Sequence, residues 1–176
     1  MPELPEVIAM RENCEDRDYV INAVKENGKL LDFAAERFHN DREIVFCAVK
    51  NNPEALEFAS PELKKDREIV FESVSKLGWT YCYVDESLKD DKELLMAGLD
   101  KSGQILYFAS EAMRDDKDVV LKAAEEKPII VKYASKRLRN DIDVGITVMN
   151  KNKKCFEFLE PELQQNEKIQ EIKNAE

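Results

Sequence analysis

Aspartates stand at Asp16, Asp41, Asp66, Asp91, Asp116 and Asp141, one every 25 residues, and Asn166 continues the register. No insertion or deletion interrupts the spacing. A fixed short period of this kind is the signature of a repeat architecture, in which one unit cannot bury its own apolar face and stacked units bury a shared one. With each Asp as position 0, an aromatic follows at position 17: Phe33, Phe58, Tyr83, Phe108, Tyr133 and Phe158. That column holds six of the fourteen aromatic residues in the chain, so composition alone does not produce it. Position 22 is apolar throughout: Phe38, Leu63, Leu88, Met113, Leu138 and Leu163.

Each unit reads as two helices. The Asp is a good N-cap, since its carboxylate can accept from the free amides of the first turn. An acid two residues on (Asp18, Glu43, Glu68, Glu93, Asp118, Asp143) complements the positive end of the helix dipole. Apolar residues then recur at helical spacing, as in Ile44, Val45, Ala48 and Val49. Position 7 is small in five units (Ala23, Ala48, Ser73, Gly98, Ala123) and Val148 in the sixth, which lets neighbouring helices approach closely. A breaker ends the first helix at Gly28, Pro53, Gly78, Gly103 and Pro128, with Lys153 in that place in the last unit. A shorter second helix is expected from the breaker to the aromatic and just beyond. In two units Pro61 and Pro161 suit the first turn of a further segment.

The expected fold is all-α: an α-solenoid of six two-helix repeats, residues 16–40, 41–65, 66–90, 91–115, 116–140 and 141–165, in a single helical-repeat domain over 1–176. Residues 1–15 serve as an N-terminal cap with Val7, Ile8 and Ala9 on its buried side, and 166–176 form a C-terminal capping helix with Gln170 and Glu171 in place of apolar residues.

The segment Ala55-Leu56-Glu57-Phe58-Ala59-Ser60, with Glu62-Leu63-Lys64-Lys65-Asp66-Arg67-Glu68-Ile69-Val70, resembles the consensus of a helical-repeat family of unknown function found in bacteria and giant viruses. Residues 105–120 and 130–144 are similar to it, whereas the third unit departs, with Val84-Asp85 in place of Ala-Ser. The resemblance implies a helical-repeat fold and, by analogy with other solenoids, a partner-binding role. It brings no catalytic residue. A second resemblance is short: Met1-Pro2-Glu3-Leu4-Pro5-Glu6-Val7 is similar to the start of formamidopyrimidine-DNA glycosylases, which implies a Pro2 amine as nucleophile assisted by Glu3. It ends after seven residues, and no Cys-x-x-Cys finger follows.

With 37 acidic against 27 basic side chains the net charge is -10, which argues against nucleic acid or an anionic membrane as partner. Much of the excess is architectural, because six capping aspartates and six first-turn acids account for twelve of the 37. No apolar run approaches the roughly 20 residues needed to span a bilayer, and no basic-then-apolar leader opens the sequence, so a cytoplasmic location is expected. Cys14, Cys47, Cys82 and Cys155 show no paired spacing, and His39, the only histidine, cannot complete a metal set, so no metal or cofactor is expected. His39 occupies a column otherwise filled by Lys64, Lys89, Arg114, Arg139 and Gln164, and is expected at the surface.

The second-helix columns at positions 13 and 16 carry the functional signal. They are charged in the outer units, as in Lys29 and Asp32 or Lys154 and Glu157, but become Trp79 and Cys82, Gln104 and Tyr107, and Ile129 and Lys132 in the middle. Tyr81 adds to the aromatic density. Trp79, Tyr81, Cys82, Tyr107 and Ile129 are therefore the candidate partner-binding patch, an apolar anchor set with a charged rim. The expected function is a non-enzymatic scaffold for a protein or peptide partner. The alternatives are an enzyme of the glycosylase or lyase type using Pro2, or a small-ligand binder in the solenoid groove.

Overall fold

The computed structural model describes residues 4–175, and its regular structure is helical, with no strand among those residues. They fall into two compact units, one ending at Leu88 and the other beginning at Lys89, where a single domain is expected from the sequence. Repeats in such an array touch mainly their neighbours, so compactness belongs to a few repeats at a time.

In the first unit the leading helices are α1 (Pro5–Glu12), α2 (Arg17–Glu26), α3 (Arg42–Asn51) and α4 (Arg67–Lys76). The cap is the expected one: Asp41 Oδ1 accepts from the amides of Glu43 and Ile44 at 3.1 and 3.2 Å, and Asp16 and Asp66 do the same in their own units. Ile44, Val45, Ala48 and Val49 are fully buried, a stripe two residues wide that recurs each turn. In α1 the buried residue is Met10, while Ile8 is 45% exposed, so the apolar face of that cap is rotated from the expected one.

The second helix differs from expectation in type. Gly28–Phe33, Pro53–Phe58 and Gly78–Tyr83 are 3-10 helices, closed by bonds such as Leu30 N–H to Asn27 O and Ala34 N–H to Leu31 O. Asn27 and Asn52 start two of them, accepting from the amides of Lys29 and Glu54. A third short segment follows in every unit, for example Glu36–Asn40 and Leu63–Lys65, so each repeat has three helical pieces.

The second unit repeats the plan with α5 (Lys92–Leu99), α6 (Glu111–Arg114), α7 (Lys117–Glu126), α8 (Lys136–Arg139), α9 (Ile142–Lys151), α10 (Pro161–Gln164) and α11 (Glu167–Asn174). Its 3-10 helices are Gly103–Phe108, Pro128–Tyr133 and Lys153–Phe158. Pro161 sits in the first turn of α10, and Ile169 is the buried residue of α11.

Three sets of polar contacts join consecutive repeats. The residue after the cap is basic in the first five repeats, and in the first unit Arg17 reaches Asp41 at 2.9 Å and Glu43 at 2.7 Å, while Arg42 reaches Asp66 at 2.7 Å and also Glu68. In the second unit Lys92 spans Asp116 and Asp118 at 2.8 and 3.1 Å, and Lys117 spans Asp141 and Asp143 at 2.9 and 2.7 Å. At position 10, Asn51, Lys76 and Lys151 donate to the terminal carbonyls of the preceding helix, at Lys25, Lys50 and Glu125. A backbone bond completes the seam: Ala35 N–H to Cys14 O, Ser60 to His39, Asp85 to Lys64, Ser135 to Arg114 and Glu160 to Arg139.

Close approach explains two of the breaker glycines. No glycine has a positive φ, so a left-handed cap is not the reason. A Cβ at Gly28 would lie 2.2 Å from Ala48 O, and one at Gly103 2.4 Å from Ala123 O, both backbone oxygens at the small column of the next helix. Gly28→Ala is expected to destabilise by about 1–3 kcal/mol, the range for overpacking, in urea unfolding followed by circular dichroism.

The rungs set a pH dependence. Partial burial pushes the Asp41 carboxyl up, but the Arg17 guanidinium and the helix amides together hold it below its usual 3.8, and Asp66, Asp116 and Asp141 behave alike. A carboxylate with a depressed folded value stabilises above the unfolded value and loses that contribution as pH falls through the folded one. The melting temperature is expected to be flat from neutral pH to about 5 and to fall below about 4; a curve that stays flat to pH 2 would exclude this role for the rungs.

Candidate functional site

The exposed face of each repeat is made by the 3-10 helix. Residues three apart eclipse one another in that geometry, so positions 13 and 16 share one side and positions 14 and 15 face inward. Leu30 and Leu31, Ala55 and Leu56, and Ile105 and Leu106 are buried accordingly. Tyr81 stands at position 15. It is 0% exposed and belongs to the core, which removes it from the patch expected from the sequence. Aromatic density read without the 3-10 phase placed it on the wrong side.

The other patch residues keep their predicted side. In the first unit Trp79 is 37% exposed and Cys82 is half-buried. The indole packs edge-on against Tyr83, with ring centroids 5.4 Å apart. The Tyr83 hydroxyl is pushed up to about 12, first by burial and then by its hydrogen bond to Glu57. In the second unit Tyr107 is 54% and Ile129 38% exposed. The Tyr107 ring meets Phe108 at 4.9 Å and Tyr133 at 4.8 Å, both edge-to-face. These rings and Ile129 line a cavity of about 510 Å³, with Pro128 and Ile130 on its wall and Gln104, Lys127, Lys132 and Asn152 at its margin. Its volume lies in the usual range for ligand clefts, and its apolar wall with a polar rim suits a partner side chain.

Phe108 and Tyr133 belong to the aromatic column at position 17, which marks the repeat in the sequence but carries no sign there of a site. Phe33, Phe58, Tyr83, Tyr133 and Phe158 are half-buried and Phe108 is exposed, so none belongs to the core. The basic column beside them explains their position. Lys64 Nζ lies 6.0 Å above the Tyr83 ring and Lys89 Nζ 5.8 Å above the Phe108 ring, each a base of one repeat over the aromatic of the next. Lys64 also donates to Glu57 O at 2.7 Å and Arg139 to Lys132 O at 3.2 Å, closing the end of a 3-10 helix. Burial lowers the Lys64 ammonium from its ordinary value.

His39 belongs to this same column and is half-buried, not exposed as expected from its polar neighbours. Its Nε2, like Nε of Arg114, is shielded from water with no hydrogen-bond partner among the described residues. Ser60, whose amide bonds to the His39 carbonyl, directs its hydroxyl to Asn40 at 2.6 Å. No nucleophile–base pair forms there. The cysteines are free thiols, with Cys155 buried and its thiol pushed up to about 11 by that burial. No group of His, Cys, Asp or Glu among the described residues could hold a metal ion. No helix among them is long and apolar enough to cross a membrane. Pro2 and Glu3, the residues that carry the glycosylase resemblance, lie outside the described residues.

A chain of capped helices stacked through a fixed 25-residue period is an all-α helical-repeat solenoid. The family model described as a domain of unknown function, DUF4116, matches it three times in succession, over residues 16–64, 66–114 and 116–164, and the chain belongs to that family. Each match spans two of the 25-residue repeats. No curated protein and no solved structure matches the chain.

The division between core and face can be measured. Tyr81→Ala should cost about 3 kcal/mol or more, as large-to-small changes in a core do, while Tyr107→Ala should cost under about 1 kcal/mol. Urea unfolding of the two variants checks both, and equal losses would contradict the assigned phase.

Proposed function

We propose that the chain is a non-enzymatic scaffold that binds a protein or peptide partner through the 3-10 face of its repeats. The observation that carries this reading is the cleft of Tyr107, Phe108, Ile129 and Tyr133, where apolar side chains stand exposed on a face that is charged in the outer repeats. Solvent-exposed aromatics held by edge-to-face contacts lose little conformational freedom on binding, which is why such residues recur as anchors in interfaces. Lys127, Lys132 and Glu126 at the margin supply a charged rim that can set orientation. Trp79 with Cys82 offers a second apolar surface in the first unit.

The test places a photo-crosslinking residue at Gln104, at the margin of the cleft, and asks for a discrete adduct in native lysate. Tyr107→Ser and Ile129→Asp should each reduce that adduct by tenfold or more while circular dichroism stays unchanged, since an interface anchor contributes about 2 kcal/mol or more. An adduct that survives both substitutions would refute the assignment. Stabilisation of the fold by a small metabolite, with no protein adduct, would favour a ligand cleft in its place.

A further inference from the structure

The junctions within the first unit specify what binds to the open face of α2. Within that unit α2 lies over α3 and α3 over α4, and each covered face carries the same elements. On α3 the base of α2 bridges Asp41 and Glu43, Ile44 and Ala48 are fully buried beneath it, and Asn51 at position 10 takes its terminal carbonyls. The corresponding residues of α2 are Asp16, Asp18, Tyr19, Ala23 and Glu26. Here Tyr19 and Ala23 are only half-buried, the three acids are exposed, and these residues line an open cavity of about 500 Å³. Among the described residues no base bridges Asp16 and Asp18, and α1 leaves this side of α2 uncovered.

We propose that this face of α2 binds a basic amphipathic helix of a partner protein, seated as one more rung of the ladder. Each part of the occupant follows from a contact seen elsewhere in the molecule. Its first turn carries an Arg or Lys, as Arg17 and Arg42 do, to span Asp16 and Asp18. Its middle is apolar and packs on Tyr19 and Ala23, the small side chain permitting close approach. Its length is about ten residues, or about 15 Å of helix, which places the amide beyond its last turn at Glu26. The second unit shows that last contact directly: Glu126, at the same repeat position as Glu26, accepts the Gly103 N–H just beyond α5 at 2.6 Å. The helix α11 of a second copy is a poorer match, because it would set Glu167 in the place of the bridging base, a third carboxylate against Asp16 and Asp18.

The experiment uses the full chain and a fluorescein-labelled, helix-stapled peptide with the sequence of residues 41–52, the helix that carries Arg42. Saturable one-to-one binding is expected by fluorescence polarisation, weakening as salt is raised. The Arg42→Glu peptide should bind at least about fivefold more weakly, the upper range for one exposed ion pair. Asp18→Lys in the protein, a substitution at an exposed position that leaves the Asp16 cap intact, should weaken the parent peptide and restore the Arg42→Glu peptide. Absence of saturable binding, or equal binding of both peptides to both proteins, would overturn the proposal. Concentration-dependent self-association of the chain abolished by Asp18→Lys would overturn it too, by assigning the face to a second copy.

Discussion

The stacking within each unit depends on a carboxylate that faces two directions at once, at Asp41, Asp66, Asp116 and Asp141. The capping aspartate accepts from the first-turn amides of its own helix through one oxygen and from the base of the preceding repeat through the other. An isolated cap is a local device and an isolated surface ion pair contributes little. Joined on a single side chain, the two couple the start of one helix to the start of the next. The first-turn acid holds the remaining part of the base, so each rung is a three-membered cluster. The lattice of bases and acids also explains why a chain so rich in charge stacks without repulsion: the excess acids stand where a neighbouring cation or a helix N-terminus meets them.

Against this framework the variable positions become meaningful. The inward columns and the rungs are committed to stacking and have little freedom to do anything else. Positions 13 and 16 of the 3-10 helix point away from the core, and there the chain changes from Lys29 and Asp32 to Trp79, Tyr107 and Ile129. The half-buried aromatic column lies between these regimes. Its rings stiffen the seam beneath Lys64 and Lys89, and in the second unit Phe108 and Tyr133 also become the walls of the cleft.

Most of the architecture was legible because its signals are local. The Asp caps, the first-turn acids, the apolar stripe of the first helix and the small position 7 each follow from short-range helix physics and recur in register. The bases after the caps, Arg17, Arg42, Lys92 and Lys117, were not read from the sequence, because their meaning needs the next repeat, 24 to 26 residues away, to be in place. The misplacement of Tyr81 has a similar cause. Periods of 3.0 and 3.6 diverge slowly over six residues, and hydrophobicity does not separate them there. His39 was read from its polar neighbours, although its column is defined by a ring in the following unit. What the sequence did not convey is therefore contact across a junction and the tighter helix type, not the presence of helices.

The backbone bond from position 19 of one repeat to the carbonyl 21 residues earlier sets a gauge on chain length. Its two ends lie in different repeats, and the rung spanning 24 and 26 residues shares the same interval. One extra residue anywhere between them would pull both out of phase together and rotate the next helix by about 100° away from its neighbour. Growth or shortening of such a chain is therefore quantised: whole periods keep the register, whereas a single-residue change of length within these repeats falls inside at least one rung and breaks it.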